Sequence, residues 1–217
     1  MTVIGQFRDL DDPDRFVWLR GFTDMATRAR ALDAFYGGLV WARHSESANA
    51  TMIDSDNVLL LRPARPDSGF SLEGRRPERH SADAPSDLVV ATIYYPSTEH
   101  VHEFADFFAS SIEPTVNGTD AAIIAVLVTE SAPNNFPRLP VREGEHVLVA
   151  VTAFADEQEY QRHVETYAGA LRLQELDAEI ERRVDRIQTL RLRATAGSRC
   201  RGAPVPPTSS VASVAHP

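Results

Sequence analysis

Ten residues, Arg15-Phe-Val-Trp-Leu-Arg-Gly-Phe-Thr-Asp24, return 132 positions later as Val147-Leu-Val-Ala-Val-Thr-Ala-Phe-Ala-Asp156. Without a gap the same spacing pairs Phe35 with Tyr167, Gly37 with Gly169 and Leu39 with Leu171. It also pairs Asn57-Val-Leu-Leu-Leu-Arg62 with Thr189-Leu-Arg-Leu-Arg-Ala194. Identities are few, so apolar pattern and turn chemistry carry the match. A doubled strand–helix–strand unit restricts the chain to folds that join two related halves, and a pocket between them is the expected place for a site.

The pattern along the chain gives the elements. Val3 to Arg8 and Phe16 to Phe22 read as strands around the turn-rich Asp9–Asp14. Asp24 is a helix N-cap for Met25 to Tyr36, which carries Met25, Leu32, Phe35 and Tyr36 at helical spacing. Asn57 to Arg62 is a third strand. The second half reads as strand Asp87–Tyr95, a helix with Val101, Phe104, Phe107 and Phe108, and strand Ala121–Glu130. A proline-bearing loop over residues 132–140 leads to strand His146–Phe154. A helical stretch follows from Asp156 to about Ile187, broken near Gly169, and strand Gln188–Arg193 ends the series.

This order, β-α-β-β-α-β, is the ferredoxin-like arrangement. The first half shows only β-β-α-β. The expected fold is therefore α+β, with two tandem ferredoxin-like modules, the first lacking its leading strand and helix. Residues 1–63 form the incomplete first module, 64–86 a flexible linker, 87–194 the second module and 195–217 a disordered tail. An incomplete module leaves a sheet edge unpaired.

Composition removes several chemistries. All 22 basic residues are arginine, so no lysine Schiff base, P-loop lysine or lysine base is available. A net charge of −9 argues against general nucleic-acid binding. Arg75, Arg76 and Arg79 in the linker and Arg191, Arg193, Arg199 and Arg201 near the end are read as solvated charge. Cys200 is the one cysteine and lies in the basic tail, which excludes an intrachain disulfide and a cysteine zinc cluster. No apolar run approaches the roughly 20 residues that span a bilayer, and Met1 to Gln6 does not read as a signal peptide. A cytoplasmic location without membrane contact is the expectation.

Val17-Trp-Leu-Arg-Gly-Phe22, Asp24-Met25, Ala34-Phe-Tyr-Gly37, Val40-Trp41 and residues 49–58 together resemble bacterial NIPSNAP-family proteins, as does Asn135-Phe-Pro-Arg-Leu-Pro-Val-Arg-Glu-Gly144. The resemblance covers about residues 2–193. It implies a dimeric α/β barrel, two ferredoxin-like units whose sheets face each other. The chain departs from that pattern at its start, where the first strand and helix are absent.

Strand alternation places Phe16, Trp18, Arg20 and Phe22 on one face of the second strand and Val17, Leu19 and Gly21 on the other. Small aliphatics suit helix packing, so the aromatic and arginine face is expected to point between the sheets. Arg20 there needs either an acidic partner or an anionic ligand, because an unpaired buried charge costs several kcal/mol. At the repeat spacing Arg20 corresponds to Thr152 and Trp18 to Ala150, so any site is asymmetric. Trp41 and Asn49 flank His44, a candidate proton carrier near neutral pH. Asp54 and Asp56 shape the turn before the third strand.

His100 and His102 diverge on a helix, and no other ligand set has metal spacing. H-E-x-x-H, G-x-S-x-G, Walker A and G-x-G-x-x-G are all absent. The favoured reading is a small-molecule enzyme or ligand binder without a cofactor. Arg20 and His44 would be catalytic, and Phe16, Trp18, Phe22, Trp41 and Asn49 would bind the ligand. The alternatives are a non-catalytic scaffold that forms a homo-oligomer through sheet edges, and a haem-binding barrel with His44 or His146 as axial ligand.

Overall fold

The computed structural model describes residues 1–72, 88–97, 101–118, 121–169 and 171–200. The segments around Arg75, Arg76 and Arg79, around His100, and from Arg201 onward lie outside those residues. Strands β1 (Thr2–Asp9) and β2 (Phe16–Gly21) are followed by helices α1 (Met25–Tyr36) and α2 (Leu39–Asn49) and by the short strand β3 (Leu61–Pro63). Next come β4 (Leu88–Pro96), α3 (Val101–Phe107), a π-helical turn (Phe108–Ile112) and α4 (Glu113–Asn117). The chain continues through β5 (Ala122–Thr129), β6 (Leu148–Phe154), α5 (Glu157–Gly169), α6 (Leu171–Glu181) and β7 (Val184–Ala194).

The seven strands form one curled antiparallel sheet in the order β2-β1-β7-β4-β6-β5-β3. Its inner part, β7-β4-β6-β5, has helices in the β4–β5 and β6–β7 connections and is consistent with a ferredoxin-like unit. The first-half strands build no sheet of their own. β1 and β2 lengthen the β7 side and β3 lengthens the β5 side. Because direction alternates at every pairing, the two edge strands β2 and β3 run the same way.

Alternate side chains of the central strands join two different buried faces. Val89, Ala91, Ile93 and Tyr95 of β4 meet Val149 and Val151 of β6, Ala125 and Leu127 of β5, Leu192 of β7 and Phe7 of β1. Among the described residues no helix takes part in that cluster, which fills the concave face. The convex face carries Val126, Val128, Leu148 and Ala150 against Phe104, Phe108, Ile112 and Ile180 of the helices.

Several elements differ from the sequence expectation. α2 is a separate helix that apolar periodicity did not reveal. β3 is shorter than expected, because Val58 and Leu60 give their carbonyls to the amides of Arg142 and Glu130 and not to a regular ladder. The last helix stops earlier, and Val184 and Ile187 belong to β7. Residues 64–72 are not a free linker: Val126 donates its amide to the Ser68 carbonyl at 2.8 Å, and Ser68 is buried. Nor do residues 195–200 behave as a tail. β1 runs past the end of β7, and its exposed carbonyls need donors. Thr195 N donates to Gln6 O at 2.9 Å and Cys200 N to Ile4 O at 2.7 Å. Cys200, expected in an unfolded segment, is therefore 1 % exposed and part of the concave cluster.

His163 of α5 lies 5.4 Å from the Phe154 ring, and burial holds its pKa below the ordinary histidine value. The unfolded chain takes up that proton near pH 6.5 and the folded chain only at lower pH. This contribution to stability is complete above about pH 6.5 and is lost as pH falls from there towards the folded pKa. Urea denaturation between about pH 5 and 7.5 will show that decline, and His163→Phe will flatten it.

Candidate functional site

β2 sets the orientation of the site. Val17 and Leu19 pack into the concave cluster, which leaves Trp18 and Arg20 on the opposite face, toward α1. This reverses the expected facing. The interior of a curled sheet has the least room and takes small aliphatics and Gly21, whereas the gap to a covering helix must be bridged by large side chains. The repeat carries the same message, since Leu148, Ala150 and Phe154 of β6 all face helices.

Asp24 starts α1 by accepting the Thr27 amide at 2.6 Å, and that bond lowers the Asp24 pKa. Asp156 accepts the Glu159 amide at 2.7 Å at the equivalent position. The first cap fixes the helix so that Arg28, Leu32, Phe35 and Tyr36 share one side. Arg28 is only 3 % exposed. Its Nη1 donates to Asn134 Oδ1 at 3.0 Å and to Asn135 Oδ1 at 2.9 Å. Asn135 Nδ2 returns a bond to the Met25 carbonyl, and Asn134 Nδ2 donates to the Leu139 carbonyl. The 134–139 loop is thereby held along α1, and buried Phe136 stacks on Tyr36 at 5.8 Å.

The aromatic rings form a connected wall. Trp18 meets Phe35 edge-on at 6.4 Å, and Trp41 lies 5.5 Å from Phe35 and 4.9 Å from Tyr36. The Arg20 guanidinium sits 4.6 Å above the Trp18 ring and donates to Tyr36 Oη at 3.4 Å. Among the described residues, neither Arg20 nor Arg28 has a carboxylate partner. Burial, and then repulsion from Arg20, lowers the Arg28 pKa. Trp18 Nε1 is inaccessible to solvent and has no hydrogen-bond acceptor among the described residues. Among the described residues, then, two neighbouring guanidiniums lack an anionic partner and the Trp18 indole N–H lacks an acceptor.

The expected site residues divide accordingly. Trp18, Arg20 and Trp41 meet through Phe35 and Tyr36. Phe22 is half-buried just after β2, and Phe16 is 56 % exposed at its start. His44 and Asn49 are exposed on α2, outside the ring contacts. Asp54 accepts the Asp56 amide at 2.7 Å, as a turn residue does. Arg28, Asn134 and Asn135 were missed by sequence reasoning. The repeat contained the signal: Arg28 falls opposite Tyr160, whose ring packs 5.2 Å from Phe154, so the first half places a cation where the second places an aromatic.

The pocket expected between facing sheets is displaced, because apolar side chains fill the concave face. A cleft of about 270 Å3 at its margin is lined by Phe70, Leu72, Ile123, Ile124 and Cys200 with the exposed Asp67. Among the described residues no group of three or more His, Cys, Asp or Glu side chains could hold a metal, and no helix is long and apolar enough to cross a membrane.

No family model matches this chain, and no curated protein matches it. The structure is similar to that of a NIPSNAP-like domain protein. That protein, uncharacterized and from Burkholderia xenovorans, is 19 % identical with a TM-score of 0.44, over 57 % of this chain and 94 % of its own. A candidate monooxygenase from Fusobacterium nucleatum subsp. nucleatum is 13 % identical with a TM-score of 0.47, over 89 % of this chain and 76 % of its own.

Proposed function

We propose that this protein binds a small organic anion, a carboxylate on an apolar or aromatic body, at the junction of β2, α1 and the 134–138 loop. The observation that carries the reading is the buried Arg28 guanidinium, set beside Arg20 with no carboxylate partner among the described residues. Burying a lone charge is costly, and a second charge of the same sign adds to the cost. An anionic oxygen between the two arginines removes both penalties and gives Trp18 Nε1 an acceptor. Tyr36, Phe136 and Trp41 supply the apolar wall that such a ligand's body would contact.

In an enzyme built on this site, Arg20 and Arg28 would stabilise developing negative charge. His44, one turn beyond Trp41 on the exposed side of α2, would be the group within the helix pair that carries protons. Calorimetric titration with acetate, benzoate and the neutral benzamide tests the binding step. Benzoate should bind more tightly than acetate, and benzamide should give no heat. Absence of benzoate binding at about 10 mM, well above a dissociation constant of about 1 mM, would remove the proposal.

A further inference from the structure

α2 and α6 occupy equivalent places in the repeat, Leu39–Asn49 and Leu171–Glu181, yet they are buried very differently. α6 packs Leu176 and Ile180 into the convex core. The residues of α2 at the same spacing are His44 and Ala48, which cannot fill that role. α2 accordingly buries no residue, and Leu39 and Val40 are 88 % and 76 % exposed. Met52 and Ile53, just beyond its end, are exposed too. Six of the eight exposed large apolar side chains among the described residues fall within residues 1–53. The unpartnered surface is therefore local to this half of the protein.

The half-buried residues Trp41, Ser45 and Ala48 mark the side of α2 that faces inward. The opposite side presents Leu39, Arg43, Glu46 and Ala50, spaced as one helical stripe. Among the described residues neither Arg43 nor Glu46 forms an ion pair. The stripe is complementary to itself when reversed. Two copies laid antiparallel, with the two-fold axis between His44 and Ser45, set Arg43 against the other copy's Glu46 and Leu39 against its Ala50, twice over. Ala42 and Ser47 on the flanks are small enough for close approach, and Val40, Met52 and Ile53 extend the contact at both ends. An isologous interface requires this kind of self-matching surface.

From this stripe we infer that α2 is a homodimer interface, with a second copy of this chain as its partner through antiparallel α2 pairing. One short helix per subunit makes a small interface, so the dimer is reversible, with a dissociation constant of about 1–100 μM. Sedimentation velocity across a concentration series tests it, with circular dichroism to verify that each exposed-site variant is folded. Arg43→Glu alone and Glu46→Arg alone place like charges in both symmetric pairs and should weaken the dimer at least about tenfold. The double variant Arg43→Glu/Glu46→Arg should return to within about threefold of the original. Leu39→Ser should also weaken it. A monomer at every concentration up to about 1 mM would overturn the inference. So would a dimer indifferent to the single reversals, or one that the double variant does not restore.

Discussion

Replacing Arg28 by methionine will leave the protein folded, hold or raise its thermal midpoint, and abolish its response to carboxylates. The direction follows from what surrounds the guanidinium. Removing a buried charge in favour of an apolar chain of similar length is often neutral or stabilising by about 1–4 kcal/mol. Here the charge also relieves its repulsion with Arg20 when removed. The cost is two hydrogen bonds to Asn134 and Asn135. Asn135 is exposed and Asn134 half-buried, so water can replace the lost donor. A ligand-binding arginine therefore separates stability from affinity in one substitution. If Arg28→Met instead destabilised the protein by about 3–5 kcal/mol, the guanidinium would be a structural tie between loop and helix.

Phe7→Ala will be the most damaging single change in the concave core, lowering the unfolding free energy by about 3–5 kcal/mol. Phe7 is completely buried where β1, β7 and the 195–200 segment meet. Its ring also occupies the space that a side chain on Gly5 would need: a Cβ there would lie 2.2 Å from the Phe7 ring. The cavity left behind is bounded by strands in regular pairing and cannot collapse easily. Guanidinium denaturation of this variant should show the midpoint falling sharply. Phe16→Ala, at an exposed position on the next strand, should change stability by less than about 0.5 kcal/mol.

The repeat spacing contained more of this structure than periodicity did. It aligns the start of β2 with the start of β6, and it superposes the whole spans of α1 on α5 and of α2 on α6. Helix α2 was missed because its stripe is nearly apolar-free in the middle, so hydrophobic pattern alone gave no signal. The order of the inner four strands followed from the β-α-β-β-α-β reading. What sequence could not give was which face of β2 turns inward, since that depends on how tightly the sheet curls. The same curvature explains why Arg20 was placed on the wrong side of its strand. The Arg28 contacts with Asn134 and Asn135 join residues more than a hundred positions apart, and no local pattern encodes them. Residues 195–200 looked like tail because their composition is polar, but free carbonyls on β1 decide their fate.

The central claim is that an anionic oxygen belongs among Arg28, Arg20 and the Trp18 indole. The chain has two tryptophans, so its indole N–H region in a 15N–1H spectrum holds two signals, which Trp41→Phe assigns. Addition of benzoate should move the Trp18 signal in a saturable manner, as its unpaired N–H gains an acceptor, and Arg28→Met should abolish the shift. A Trp18 resonance that stays fixed at saturating benzoate would contradict the account.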